Sequence, residues 1–154
     1  MAKNDTPTRV DLQKLAESRL NEANVLAQHQ LFDGAVYLAG YALELAFKAR
    51  ICKILDADYP TEGAYSSFKT HSYSTLLKLA GLEKALDQQK LRYAAFTSNW
   101  SILVGTAGAS GTEGWSETWR YRSLGSVNTV DASRFLSALE DAHSGVLTWL
   151  KTLW

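Results

Sequence analysis

Between Arg9 and Gln30 the apolar residues Leu12, Leu15, Ala16, Leu20, Ala23, Leu26 and Ala27 fall on one stripe at helical spacing, which predicts a first helix. Arg19 interrupts that stripe, so its cation either snorkels to solvent or meets a buried acid. Asp33 is a favourable N-cap for a second helix running to about Asp56. This helix is apolar nearly all round through Phe47, a pattern that belongs at the centre of a bundle or in an interface. Ala35, Ala39, Ala42, Ala46 and Ala49 form one ridge that admits a close neighbour, and Tyr37, Tyr41, Glu44 and Lys48 form an opposing stripe. A short third helix is predicted near Tyr73 to Ala80, with Ser72 as cap and Gly81 as stop. From Leu82 the residues Leu86, Gln89, Tyr93, Phe96, Trp100 and Leu103 follow at alternating steps of four and three, the seam of a fourth helix. No period holds from Val104 to Val130. Asp131 then caps a last helix with Phe135, Leu139, Ala142, Val146, Leu150 and Leu153 on its apolar face.

These elements predict an all-α fold. Residues 1–8 form a frayed arm, and residues 9–154 form a single bundle of about five helices with a long glycine-rich loop over about 104–130. A chain of 154 residues is enough for one domain with a real core. Net charge is zero, which argues against affinity drawn mainly from a broad phosphate-binding face but leaves room for a local basic site. Cys52 is the single cysteine, so there is no disulfide framework, and its apolar helix predicts a buried, inert thiol. Met1 to Arg9 has no apolar signal core, which predicts a cytoplasmic protein. The stretch Gly34 to Leu43 is too short to cross a bilayer, which needs roughly 20 residues.

The chemistry-bearing residues are sparse. Gly105, Gly108, Gly111 and Gly114 recur every third residue, but no strand, helix and Lys-Ser/Thr pair surround them as a phosphate loop requires. His29, His71 and His143 are scattered, without metal-ligand spacing or a nucleophilic triad, so no cofactor or metal is implied. His143 is expected as a core histidine on the last helix, and His71 as a cap or staple of the third. Glu44 and Lys48 stand one helical turn apart. They either pair simply across that turn or join a network with Arg19 and Arg120 or Arg122 that lines a polar cleft. Trp115, Glu117, Trp119, Arg120, Tyr121 and Arg122 mix aromatics with cations, a composition that plugs a bundle end, forms a protein hot spot, or stacks bases and holds phosphates.

The run from Leu31 to Ala49, ending Glu44-Leu45-Ala46-Phe47-Lys48-Ala49, resembles the second helix of HEPN domains. His71-Ser72-Tyr73-Ser74-Thr75-Leu76-Leu77 is similar to that family's His segment, and Trp119-Arg120-Tyr121 to its Arg-Tyr before the last helix. The resemblance covers residues 10 to 152. It implies a helical bundle, often a homodimer, in the company of nucleotidyltransferases, toxin–antitoxin pairs, or defence and RNA-processing systems. Many family members cut RNA with an Arg followed after four to six residues by a His. Here Arg19 to His29 and Arg134 to His143 are too widely spaced, and Asn128 stands where a His would follow Arg122. Asn cannot act as an acid or base as His does. The expected function is a non-catalytic HEPN-like module, a dimer that recognises a partner protein, a nucleotide or RNA. Its candidate site residues are Glu44, Lys48, Arg120 and Arg122, with Tyr41, Trp119 and Tyr121 shaping the cleft. The rivals are a divergent metal-independent ribonuclease using His71 or His143, and a structural subunit of a larger assembly.

Overall fold

The structure, a computed structural model, describes residues 6–60, 67–105 and 114–154. Its elements are α1 (Arg9–Gln28), α2 (Phe32–Leu55), α3 (Tyr73–Leu79), α4 (Glu83–Arg92), α5 (Ala94–Val104), a 3-10 turn (Glu117–Tyr121), α6 (Thr129–Glu140) and α7 (Val146–Lys151). The fold is all-α, with no strand among the described residues.

Helix α1 begins in a capping box. The Thr8 hydroxyl accepts from the Asp11 amide, and the Asp11 carboxylate accepts from the Thr8 amide, each at 3.1 Å. Pro7, within the expected arm, accepts a hydrogen bond from the Tyr59 amide through its carbonyl. The first five residues lie outside the described set. Of the predicted stripe, Leu12, Ala16, Leu20 and Ala23 are buried, while Leu15 is partly exposed.

Helix α2 is the spine, packed against α1, α3, α6, α7 and the 3-10 turn. All five ridge alanines and Phe47 are fully buried, and burying a side chain the size of Phe47 contributes roughly 1.5–3 kcal/mol. Asp33 is not its cap. Leu31 occupies that position, and the Asp33 carboxylate accepts instead from the Gly125 and Val127 amides at 2.6 and 2.8 Å. The chain after the 3-10 turn is thereby latched onto the start of α2.

Two helices predicted as continuous are each broken. Leu82, Leu86, Phe96, Trp100 and Leu103 are buried as the seam requires, but Tyr93 lies between α4 and α5 with φ −136° and ψ 108°. Its extended backbone redirects α5 onto α6 and α7, while α4 leans chiefly on α5. The last helix breaks after Glu140. The Asp141 carboxylate accepts from the amides of His143 and Ser144 and from the Ser144 hydroxyl, at 2.7 to 2.9 Å. These bonds hold its carboxyl below the usual carboxylate range. Gly145 is required at this corner, because a Cβ there would sit 2.5 Å from the Asp141 carbonyl oxygen. His143 therefore stands exposed in the corner, not on an apolar face, and Ala142 is exposed beside it. Helix α6 is capped by Asn128, which accepts from the Asp131 amide at 2.9 Å, so Asp131 belongs to the first turn. No helix among the described residues is long and apolar enough to cross a membrane.

Candidate functional site

Glu44 faces inward from the middle of α2 and is only 2% exposed. A carboxylate so placed must be compensated. It has two partners: Lys48 donates to Oε1 at 2.7 Å across one helical turn, and the Nδ1 of His71 meets Oε2 at 2.8 Å. Lys48 also lies 5.3 Å from the Tyr59 ring. Arg19 is not part of this network. It is half-exposed on α1 and pairs with Glu22, where the bond holds the Glu22 carboxyl below its ordinary range. The pairing of Glu44 with Lys48 is thus the simple one-turn bridge, but buried, and extended by a histidine from the segment before α3.

Aromatic side chains close the site on one side. Tyr41 meets Trp115, Tyr37 and His71 edge-on, with centroids at 5.0, 5.2 and 6.1 Å. Trp115 stacks on Tyr73 at 5.4 Å and donates its indole N–H to the Tyr37 carbonyl at 3.1 Å. The Tyr73 hydroxyl donates to the Gly40 carbonyl at 2.8 Å. Gly40 is what admits the indole: a Cβ there would lie 2.0 Å from the Trp115 Nε1. Burial pushes the Tyr41 hydroxyl well above its ordinary pKa, helped by the hydrogen bond from Tyr37, and Arg120 opposes the shift. Burial likewise pushes up Tyr73.

The remaining predicted residues occupy the 3-10 turn and its exit. Ser116 caps this turn, accepting from the Thr118 amide at 3.2 Å. Trp119 packs inward on Phe135 with centroids 6.2 Å apart, and the Arg122 guanidinium lies over the Trp119 ring at 3.8 Å. Arg120 and Tyr121 point to solvent, with the guanidinium 5.1 Å from the Tyr121 centroid. Arg120 is held more basic than usual, first by Tyr121 and then by Tyr37 and Tyr41 of the α2 stripe.

The structure therefore brings Glu44, Lys48 and Tyr41 into an inner cluster, and sets Arg120, Tyr121 and Arg122 on an outer face beside it. The aromatic–cation run divides accordingly: Trp115 and Trp119 plug the bundle while Arg120 and Tyr121 stay outside. Spacing did not reveal His71 as the second partner of Glu44, because the two are 27 residues apart. Gly105 and Gly114 are described, whereas Gly108 and Gly111 lie outside the described residues. Comparison with protein-family models, curated proteins and solved structures returned no match.

Proposed function

We propose that the chain is a HEPN-like module that binds without cutting, acts as a homodimer, and presents Arg120, Tyr121 and Arg122 to RNA or a nucleotide. The observation that carries this reading is Tyr121, which is 79% exposed beside the Arg120 guanidinium on a turn whose exit is latched to Asp33. An exposed ring offers a base a stacking face, and an adjacent guanidinium offers its phosphate a cation. In this reading Glu44 and Lys48 are the internal anchor that fixes α2 beneath the face, and Tyr41 and Trp119 are its packing support. Three segments in family order, from Leu31, His71 and Trp119, support the HEPN likeness. That likeness carries with it a nucleotidyltransferase-type or other protein partner, and a toxin–antitoxin or defence setting. Exposed Val25 in the last part of α1 and Leu31 just before α2 support association of two copies. Fluorescence anisotropy with labelled single-stranded RNA tests the ligand, and light scattering tests the dimer.

One observation favours a second reading, the divergent ribonuclease. His71 is oriented by a buried carboxylate in the manner of a base and its orienting group. Wild-type cleavage of a labelled RNA that disappears in His71→Ala would select it.

A further inference from the structure

Glu44 orients an imidazole that is itself open. His71 is 43% exposed, and its ring lines a cleft of about 500 Å³ between the segment Lys69–Ser74 and the segment Trp115–Glu117. A carboxylate only accepts hydrogen bonds, so the Nδ1 of His71 must carry the proton it gives to Glu44. In the tautomer that gives its Nδ1 proton to Glu44, the Nε2 is an acceptor, and the bond on the other side of the ring fixes its direction. The cluster leaves a directed hydrogen-bond acceptor on the wall of a cleft.

The rest of the cleft has a polarity of its own. Lys69 lines the wall formed by residues 69–74, and no ion pair to it is present among the described residues. Glu117 lines the other wall, where its carboxylate accepts from the Ser116 hydroxyl at 3.2 Å. On the same wall as Lys69 the Ser72 and Ser74 hydroxyls share one hydrogen bond at 3.0 Å, which leaves one of their protons for another acceptor. A cation and a hydroxyl donor suit an oxyanion. A directed imidazole acceptor and a carboxylate suit ligand hydroxyls.

We propose that this cleft is a binding site for a small hydroxylated oxyanion, a sugar phosphate or a hydroxy acid. Its anionic end meets Lys69 and the Ser72–Ser74 hydroxyls, and its hydroxyls meet the Nε2 of His71 and the Glu117 carboxylate. The cleft lining contains none of Arg120, Tyr121 and Arg122, so this proposal does not rest on RNA binding.

Isothermal titration of the full chain with ribose 5-phosphate, glycerate and inorganic phosphate tests the proposal, each taken to about 10 mM so that millimolar affinity is detected. The expected result is saturable binding of ribose 5-phosphate or glycerate, the better of the two naming the oxyanion, and weaker binding of inorganic phosphate, which lacks the hydroxyls. Lys69→Ala, at an exposed position, weakens that binding about tenfold, the scale of one charge-assisted contact. His71→Ala weakens it as well. Absence of binding by all three compounds overturns the proposal. So does binding that is equal in wild type, Lys69→Ala and His71→Ala, or inorganic phosphate binding as tightly as the other two. Circular dichroism on each variant confirms the helical fold, and Glu117→Gln gives a second probe of the hydroxyl contacts on a residue outside the Glu44 network.

Discussion

Replacing Glu44 with alanine removes the counter-charge of Lys48 and the acceptor of His71 in one step. Breaking a buried pair by deleting one partner typically costs about 3–5 kcal/mol, because the other charge is stranded away from water. Two features moderate that figure here. The Lys48 side chain retains 15% exposure and the face of Tyr59, and His71 at 43% exposure can turn to solvent. The expected loss is therefore about 2–3 kcal/mol, which for a chain of this size lowers the melting temperature by roughly 4–12 °C. Glu44→Leu should cost a similar amount, since its methyl groups cannot pair with the ammonium either. The double variant Glu44→Leu, Lys48→Met removes both charges together and should recover most of the loss, giving a coupling of about 2 kcal/mol in the cycle. Urea denaturation followed by far-ultraviolet circular dichroism measures all four corners. A loss below about 0.5 kcal/mol for Glu44→Ala, the scale of an ordinary surface substitution, refutes the buried network.

Gly40→Ala places a methyl group on the Trp115 indole and should cost about 1–3 kcal/mol, with a red shift of tryptophan emission as the ring leaves Tyr73. Unchanged emission and stability would show that the indole is not seated there. Asp33→Ala removes the shared acceptor of the Gly125 and Val127 amides and should cost about 1–3 kcal/mol. Faster amide exchange at those two positions is the direct readout, and unchanged protection there contradicts the latch. Burial pushes the Cys52 thiol up to about 11, so a thiol reagent at about pH 8 should label the native protein far more slowly than the denatured chain. The sign of the linkage follows from the raised value: this group disfavours the folded state progressively as pH rises from the unfolded value near 8.5 toward the folded one. Rapid native labelling at about pH 8 would contradict the burial.

The helical periods locate the core well, because a stripe such as Leu12, Ala16, Leu20 and Ala23 has only one way to be buried. The two breaks differ in how far the sequence announces them. Asp141 to Gly145 carries an acceptor side chain followed by a serine and a glycine, the residues of a helix stop and restart, though the apolar period runs on through it. Tyr93 carries no such signal; its extended backbone, which turns α5 onto α6 and α7, shows only in the fold. Glu44 and Lys48 are legible as a pair from spacing alone. Their depth and the arrival of His71 depend on contacts between distant segments, which no local pattern encodes. Gly40 in an otherwise apolar helix interior is a readable hint of close approach, since glycine weakens a helix without such a reason. That the approaching group is Trp115 emerges only from the fold. Among the aromatic–cation residues, composition does not separate the inward Trp119 from the outward Tyr121, because both stand on one five-residue turn.

RNA binding by the face at Arg120 and Arg122 is tested most directly by the salt dependence of single-stranded RNA affinity, measured by anisotropy on the wild type and on an Arg120→Ala, Arg122→Ala variant. Each phosphate contact on a single strand contributes about −0.7 to the slope of log affinity against log salt, so loss of two contacts should flatten the slope by about 1.4 and weaken binding in low salt. Saturable wild-type binding with that difference between the two proteins is the expected result. Equal affinity and equal slope for both, or no RNA binding by the wild type, would contradict the account.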